Sequence, residues 1–297
     1  MSVLLDAGSR VVIVGATGRF GRRTLQDMRR AGTAIVAGVD HRVGPVPTDD
    51  ALPLFDSVST AVRETGANAA IVFIPATRAV DALIETMEAG LRLVVYPGEG
   101  LPVMDAITVR RAAMHNDVVY VGANTPGVIT PGVAKLGFMP TGCYEPGPVG
   151  LISRSGSLSY EAAAALTDAR LGQSTAIGIG GDPVRGLTAA EAIELFHDDA
   201  QTRAIVYLGE IGGDAEYDVA AYASRPDAKP VVAHIVGRTA PRGKQMGHAA
   251  ALVGSYRDTW EAKVEALGTA GARIAQSMND LLAKVRDALE SNRRESR

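Results

Sequence analysis

Short apolar, β-branched runs alternate with helical patterns along almost all of the 297-residue chain. Residues 10–15, 34–39, 69–75, 91–96 and 118–122 read as buried strands, being nearly continuous runs of Val, Ile, Leu and Ala. A helical pattern through Thr24, Leu25 and Met28 stops at Gly32, a second covers 79–89 before Gly90, and a third covers 104–113. Such alternation predicts an α/β fold, a parallel sheet wound on both faces by its crossover helices.

The pattern lapses over residues 130–148, where prolines and glycines crowd together. We expect a first domain over 1–128, a connection over 129–148 and a second domain over 149–297. The second domain repeats the alternation. Strands are expected at 149–152, 174–178, 204–208, 230–236 and 273–275. Helices are expected after Tyr160, over 187–198 and 259–267, and from Met278.

Composition limits the function classes. Hydrophobic residues make up 46% and charged residues 21%, which fits globular cores. A net charge of −3 without a block of like charge argues against a general nucleic-acid surface. Cys143 is alone, so an intrachain disulfide and a cysteine zinc site are both excluded. No run approaches the ~20 apolar residues of a membrane helix, and residues 1–6 lack a signal-peptide pattern. A cytoplasmic protein without membrane association is expected.

Two strand–loop–helix junctions carry candidate anion sites. Gly15, Gly18 and Gly21 lie between a strand and a helix, where free N–H groups and the positive dipole end suit a pyrophosphate. Asp40 ends the next strand, where an acid receives the ribose of NAD, but His41 and Arg42 follow and suit a phosphorylated ribose, as in NADP or coenzyme A. The second junction, Ser153 to Glu161, is either a helix N-terminus that receives an anion or a serine-rich cap with no ligand.

Two polar residues stand at later strand ends. Glu210, among glycines, is either the orienter of a histidine or a turn carboxylate in water. His248 sits in a loop bracketed by Gly243 and Gly247 and followed by alanines, open to a partner surface or a phosphate. Its plain alternative is a flexible basic loop with an incidental histidine. Of the remaining histidines, His115 and His197 are expected at helix ends near the surface and His234 in a core with a hydrogen-bond partner. None makes a metal-ligand spacing with another.

Taken together, Gly15–Gly21, Gly122–Gly132, Ser153–Glu161, Gly178–Pro183, Gly209–Gly213 and Gly243–Ala249 resemble, in order and over nearly the whole chain, the α subunit of succinyl-CoA synthetase. The resemblance implies an N-terminal Rossmann-like CoA-binding domain followed by a flavodoxin-like doubly wound domain. It implies an acid–thiol ligase working with a β subunit, as αβ or α2β2, whose ATP-grasp domain holds ATP or GTP with Mg2+. A small dicarboxylate, CoA and the nucleotide would give acyl-CoA through acyl-phosphate and phosphohistidine intermediates.

Carried over by motif, His248 is the phosphorylated residue and Glu210 its partner. Ser155 and Gly156 receive the phosphate, and Tyr160 lies near the carboxylate. Thr17, Gly18, Arg19 and Phe20 hold CoA phosphates, and Pro97, Gly98 and Glu99 line the CoA site. The family's Pro-Gly-Lys segment is replaced by Asp40 to Gly44, with Arg42 as substitute cation. The family's cysteine before proline is Thr125, and Glu99 is approached through Tyr96-Pro97-Gly98. These departures touch the CoA and substrate side and leave open a paralogue acting on another carboxylate, such as malate. An NAD(P)-dependent reductase and a CoA-binding module without turnover are the competing readings.

Overall fold

A computed structural model describes residues 3–40 and 52–295. The chain forms two compact units. One comprises residues 4–139 with 184–187, and the other comprises 140–183 and 188–297 with the first three residues. After its first three residues, the chain leaves the unit of residues 4–139 at Met139 and Pro140, inside the stretch where the pattern lapses.

The N-terminal unit begins with β1 (Arg10–Val14), α1 (Arg19–Arg30), β2 (Ala34–Val39), β3 (Leu54–Phe55) and α2 (Val58–Thr65). It continues with β4 (Ala69–Val72), α3 (Ala79–Glu88), β5 (Leu93–Tyr96), α4 (Val103–His115) and β6 (Val119–Gly122). The strands are parallel in the order β3-β2-β1-β4-β5-β6. Strand order reverses on either side of β1, the arrangement of a dinucleotide-binding sheet.

Both faces of the inner strands β1, β4 and β5 are buried. Val12, Val14, Ala70, Val72 and Val94 enter one core cluster, and the alternate residues Val11, Ile13, Ile71 and Val95 are equally inaccessible. Two-sided burial is why these segments read as continuous rather than alternating apolar runs, each large side chain contributing about 1.5–3 kcal/mol.

Four elements of this unit are invisible in the periodicity: the two-residue strand β3, helix α2 and strands β7 and β8. Helix α2 is short, capped by Ser57, whose Oγ accepts from Thr60 N at 3.3 Å, and ended by Gly66 in the left-handed region. Strands β7 (Gly127–Thr130) and β8 (Ala134–Gly137) form an antiparallel hairpin where the expectation was irregular chain. The hairpin belongs to the N-terminal unit because Thr33 Oγ1 donates to Lys135 O at 2.8 Å and accepts from Lys135 N at 2.9 Å.

The second unit runs β9 (Pro146–Ser153), α5 (Gly156–Asp168), β10 (Gln173–Gly178), α6 (Ala189–Asp198), β11 (Ala204–Glu210) and α7 (Ala215–Ala223). It ends with β12 (Val231–Val236), α8 (Trp260–Thr269), β13 (Arg273–Ile274) and α9 (Met278–Glu295). These five strands are parallel in the order β13-β12-β11-β9-β10, the flavodoxin-like winding. Strand β9 starts three residues before the expected Val149, and α7 fills a stretch that showed no clear period. His115 ends α4, the ring of His197 meets the Tyr222 hydroxyl at 3.0 Å, and His234 Nδ1 lies 2.9 Å from the Ala275 carbonyl. Among the described residues, no helix is long and apolar enough to cross a membrane.

Candidate active site

In the second unit, strand order reverses between β9 and β11, so loops leaving these strands diverge and leave a crevice at their carboxyl ends. Ser153 at the end of β9 is in register with Gly178 of β10 and Leu208 of β11. Three loops therefore start side by side: Arg154–Ser155 into α5, Ile179–Asp182, and Ile211–Asp214. Ser155 caps α5, its Oγ accepting from Leu158 N at 3.5 Å, and Gly156 is the first helical residue. Ser153 Oγ accepts from Ser155 N at 3.1 Å and donates to Ser155 O at 2.6 Å, fixing the angle at which the chain enters the helix. No acidic side chain occupies the first turn, so the positive helix end is not neutralised from within. Tyr160, on the second turn, is half-buried, and burial raises its phenol pKa.

Glu210 is the last residue of β11 and 6% exposed. Its Oε2 lies 2.8 Å from Nδ1 of His248. The histidine reaches it from a loop with its own supports. Met246 N donates to Ala251 O at 2.8 Å, Ala251 N to His248 O at 3.1 Å, and Ala250 N to Gly181 O at 3.3 Å. Ala251 and Val253 pack with Ile211, backed by Trp260, whose indole N–H donates to Ile235 O at 2.8 Å. The loop is thus tied down on both sides of a half-buried ring. The Glu210 hydrogen bond raises the His248 pKa above the usual histidine value. Burial and the nearby Arg154 oppose that rise, and Asp182 adds to it.

Behind Glu210 lies a fully buried ionic cluster. Arg154 Nη1 donates to Glu210 O at 3.1 Å, Gly212 O at 2.9 Å and Glu216 Oε1 at 3.1 Å. Lys263 Nζ donates to Glu210 O at 2.9 Å, to Gly212 O at 2.6 Å and to Glu216 Oε2. Tyr207 and the Glu210 amide donate to Glu216 Oε1 at 3.0 and 3.2 Å. Burial alone would raise the Glu216 pKa, but Arg154 and Lys263 outweigh it and hold the carboxyl below its usual range. Burial lowers the Lys263 pKa, and Glu216 offsets part of that. Sequence reading missed this cluster. The signal that could have found part of it is Glu216 and Lys263, two charged residues on the otherwise apolar faces of α7 and α8.

The N-terminal unit holds a separate cavity of about 650 Å³ at the carboxyl ends of β1, β2 and β4, lined by Gly15, Thr17, Gly18, Arg19, Phe20, Asp40 and Pro75 among others. A second, of about 500 Å³, shares Phe20 and Pro75 and adds Tyr96, Pro97, Gly98, Glu99 and Phe138. The fold thus brings together the expected residues 17–20 and 97–99. Arg42 and His41 lie outside the described residues.

Helix α1 meets the glycine loop so closely that a Cβ on Gly21 would fall 2.4 Å from Gly15 O. The helix has no side-chain cap at Gly18, leaving its N-terminus for an outside acceptor, and Arg19, Arg22 and Arg23 border an open groove beside it. Phe20 and Phe138 stay exposed although their rings meet at 6.2 Å, and Phe73 meets Phe138 at 5.7 Å. Uncapped amides, arginines and an aromatic shelf fit a phosphorylated nucleotide with an extended arm. Asp40 accepts a hydrogen bond from Thr17 Oγ1, so the carboxylate at the end of β2 is tied to the glycine loop.

Comparison with known proteins agrees with both halves. A CoA binding domain family matches residues 6–100 and a CoA-ligase family matches residues 152–273. The chain is 44% identical over 295 residues to the succinate–CoA ligase [ADP-forming] α subunit of Aquifex aeolicus, covering 98% of this chain and 96% of that one. It is 43% identical over 287 residues to the corresponding subunit of Methanothermobacter thermautotrophicus, covering 97% of each. Among solved structures, ATP citrate lyase from Methanothrix soehngenii superposes with a TM-score of 0.89 at 24% identity, over 99% of this chain and 52% of that one, a likeness of fold. With identity above 40% across almost its full length, the chain belongs to the family of succinate–CoA ligase α subunits.

Proposed function

We propose that the chain is the α subunit of a succinate–CoA ligase, in which His248 carries a phosphoryl group between nucleotide and carboxylate. The observation that carries this reading is the hydrogen bond between Glu210 and Nδ1 of His248. A carboxylate accepting the Nδ1–H leaves the lone pair at Nε2 as the nucleophile. The N-terminal unit, with the hairpin of β7 and β8, acts as the CoA-binding domain, and the unit that contains β9 to α9 acts as the ligase domain.

Nε2 attacks the γ-phosphorus of ATP or GTP, the bond to the bridging oxygen breaks, and the nucleoside diphosphate leaves. The nucleotide and its Mg2+ sit on a partner β subunit with an ATP-grasp domain, in an αβ or α2β2 assembly. An oxygen of succinate then attacks phosphorus, the P–N bond breaks, and succinyl phosphate forms. The CoA thiolate attacks the acyl carbon, phosphate departs, and succinyl-CoA results. Splitting one hard displacement into easier ones is the gain from a covalent carrier. The helix N-terminus at Ser155 and Gly156 offers oriented N–H groups to the phosphoryl oxygens, and Tyr160 borders the carboxylate. Thr17, Gly18, Arg19, Phe20, Arg42, Pro97, Gly98 and Glu99 hold CoA.

The test is turnover. Combined with a β-type subunit, Mg2+ and ATP or GTP, the chain should convert succinate and CoA to succinyl-CoA with one phosphate released per thioester. Hydride transfer from NADH without thioester formation would overturn the proposal. Turnover of malate with none of succinate would move the substrate assignment alone.

A further inference from the structure

The relay as described uses one oxygen of Glu210 and leaves the other unexplained. Oε1 is buried and lies 3.1 Å from Nη2 of Arg154. Neither atom has a hydrogen-bond partner among the described residues, so the two face each other as an ion pair. The guanidinium is itself held in place. Its Nη1 is anchored on the carbonyls of residues 210 and 212 and on Glu216, and Lys263 Nζ grips the same two carbonyls and the other Glu216 oxygen.

Arg154 and Lys263 balance Glu210 and Glu216 in a site where all side chains but Glu210's are fully inaccessible and that one is nearly so. Such a cluster is a poor source of stability relative to apolar packing, because each ion gives up its hydration. What it does supply is a fixed charge at a fixed place beside the carboxylate that meets His248.

We propose that Arg154, clamped by Glu216 and Lys263, is a positioning residue of the phosphoryl relay: it holds Oε1 of Glu210, so that Oε2 stays aimed at Nδ1 and the ring presents Nε2. The inference rests on the relay reading of His248. The charged groups that face the ring are Glu210 from β11, Arg154 from the β9–α5 loop and Asp182 from the loop after β10, and Glu216 from α7 faces Arg154 behind them. Arg154 works against a doubly protonated ring, while Glu216 neutralises part of Arg154. Removing the Glu216 charge therefore disfavours the imidazolium. Replacing the arginine fork by a point charge loosens Glu210.

The experiment measures single-turnover phosphorylation of His248 against pH in the assembled α and β subunits, using Mg-ATP. It compares wild type with Glu216→Gln and Arg154→Lys. Assembly with the β subunit serves as the measure of folding. Glu216→Gln should move the acid limb to lower pH by about half a unit or more. Arg154→Lys should slow labelling roughly tenfold across the profile. Glu216→Gln keeps the side-chain shape and decides the matter alone if Arg154→Lys fails to assemble. Variants that melt earlier but keep the wild-type rate and acid limb would show a purely structural cluster and overturn the inference while leaving the relay intact. A wild-type complex that turns over without labelling His248 would instead remove the relay, and the inference with it.

Discussion

The backbone of Gly181 packs so close to the imidazole of His248 that a Cβ there would fall 2.4 Å from Cγ and 2.7 Å from Nδ1. Any side chain at 181 must therefore push the ring off Glu210 or displace the loop after β10. We expect Gly181→Ala to lower His248 labelling by about 10–100-fold, the scale of an ångström-sized misplacement. CoA affinity, which resides in the N-terminal unit, should be unchanged. Stopped-flow labelling beside calorimetric CoA titration reads both.

The His248 pKa is raised in the folded chain, chiefly by its hydrogen bond to Glu210. The folded protein thus holds this proton more tightly than the unfolded chain, whose histidine titrates near about 6.5. The stabilisation from the pair is fully present below that value and is lost as pH rises through the folded pKa. His248→Ala should accordingly destabilise the protein more at about pH 6 than at about pH 9. In the same way, Glu210→Gln should let labelling persist to lower pH, although at a reduced maximum. Denaturant midpoints at the two pH values test the first expectation, and the pH profile of labelling tests the second.

Lys263 is wholly buried and shares Glu216 with Arg154. Lys263→Met removes one cation, takes the ammonium from Glu216 Oε2 and leaves the carbonyls of residues 210 and 212 to Arg154 Nη1. Breaking a buried pair in this way costs about 3–5 kcal/mol. Lys263→Met should lower the urea midpoint of the transition assigned to the ligase domain. Lys263→Arg should recover only part of the loss, since the planar group does not fit the ammonium's place.

The CoA side has its own tight contact. A methyl group on Gly21 would collide with Gly15 O at 2.4 Å and Ala16 O at 2.9 Å, both of them backbone. Gly21→Ala should push α1 from the glycine loop and weaken CoA binding tenfold or more, in line with a lost helix-terminus anion site. His248 labelling from nucleotide should survive. Parallel loss of both would contradict the division of labour between the two units.

Particular residues decide how much of this was legible in the sequence. The parallel sheets were legible because strands such as residues 69–72 and 204–210 are buried on both faces and so read as unbroken apolar runs. His248 and Glu210 were legible because glycines isolate them at strand and loop ends. Helix α7 was not, because Glu216 turns inward among alanines and blurs the apolar stripe. The hairpin of β7 and β8 was hidden by its terminal glycines, which pair with each other in the ladder. The grouping of Arg154, Glu216 and Lys263 was missed for another reason: Arg154 and Lys263 stand 62 and 47 residues from Glu216, and strand order brings them together.

The most direct measurement is the site of phosphate itself. After incubation with a β-type subunit and labelled Mg-ATP, peptide mapping should find base-stable, acid-labile phosphate on Nε2 of His248. That label should be discharged by succinate with CoA and be absent from His248→Asn. A wild-type complex that makes succinyl-CoA with no phosphate ever on residue 248 would contradict the account.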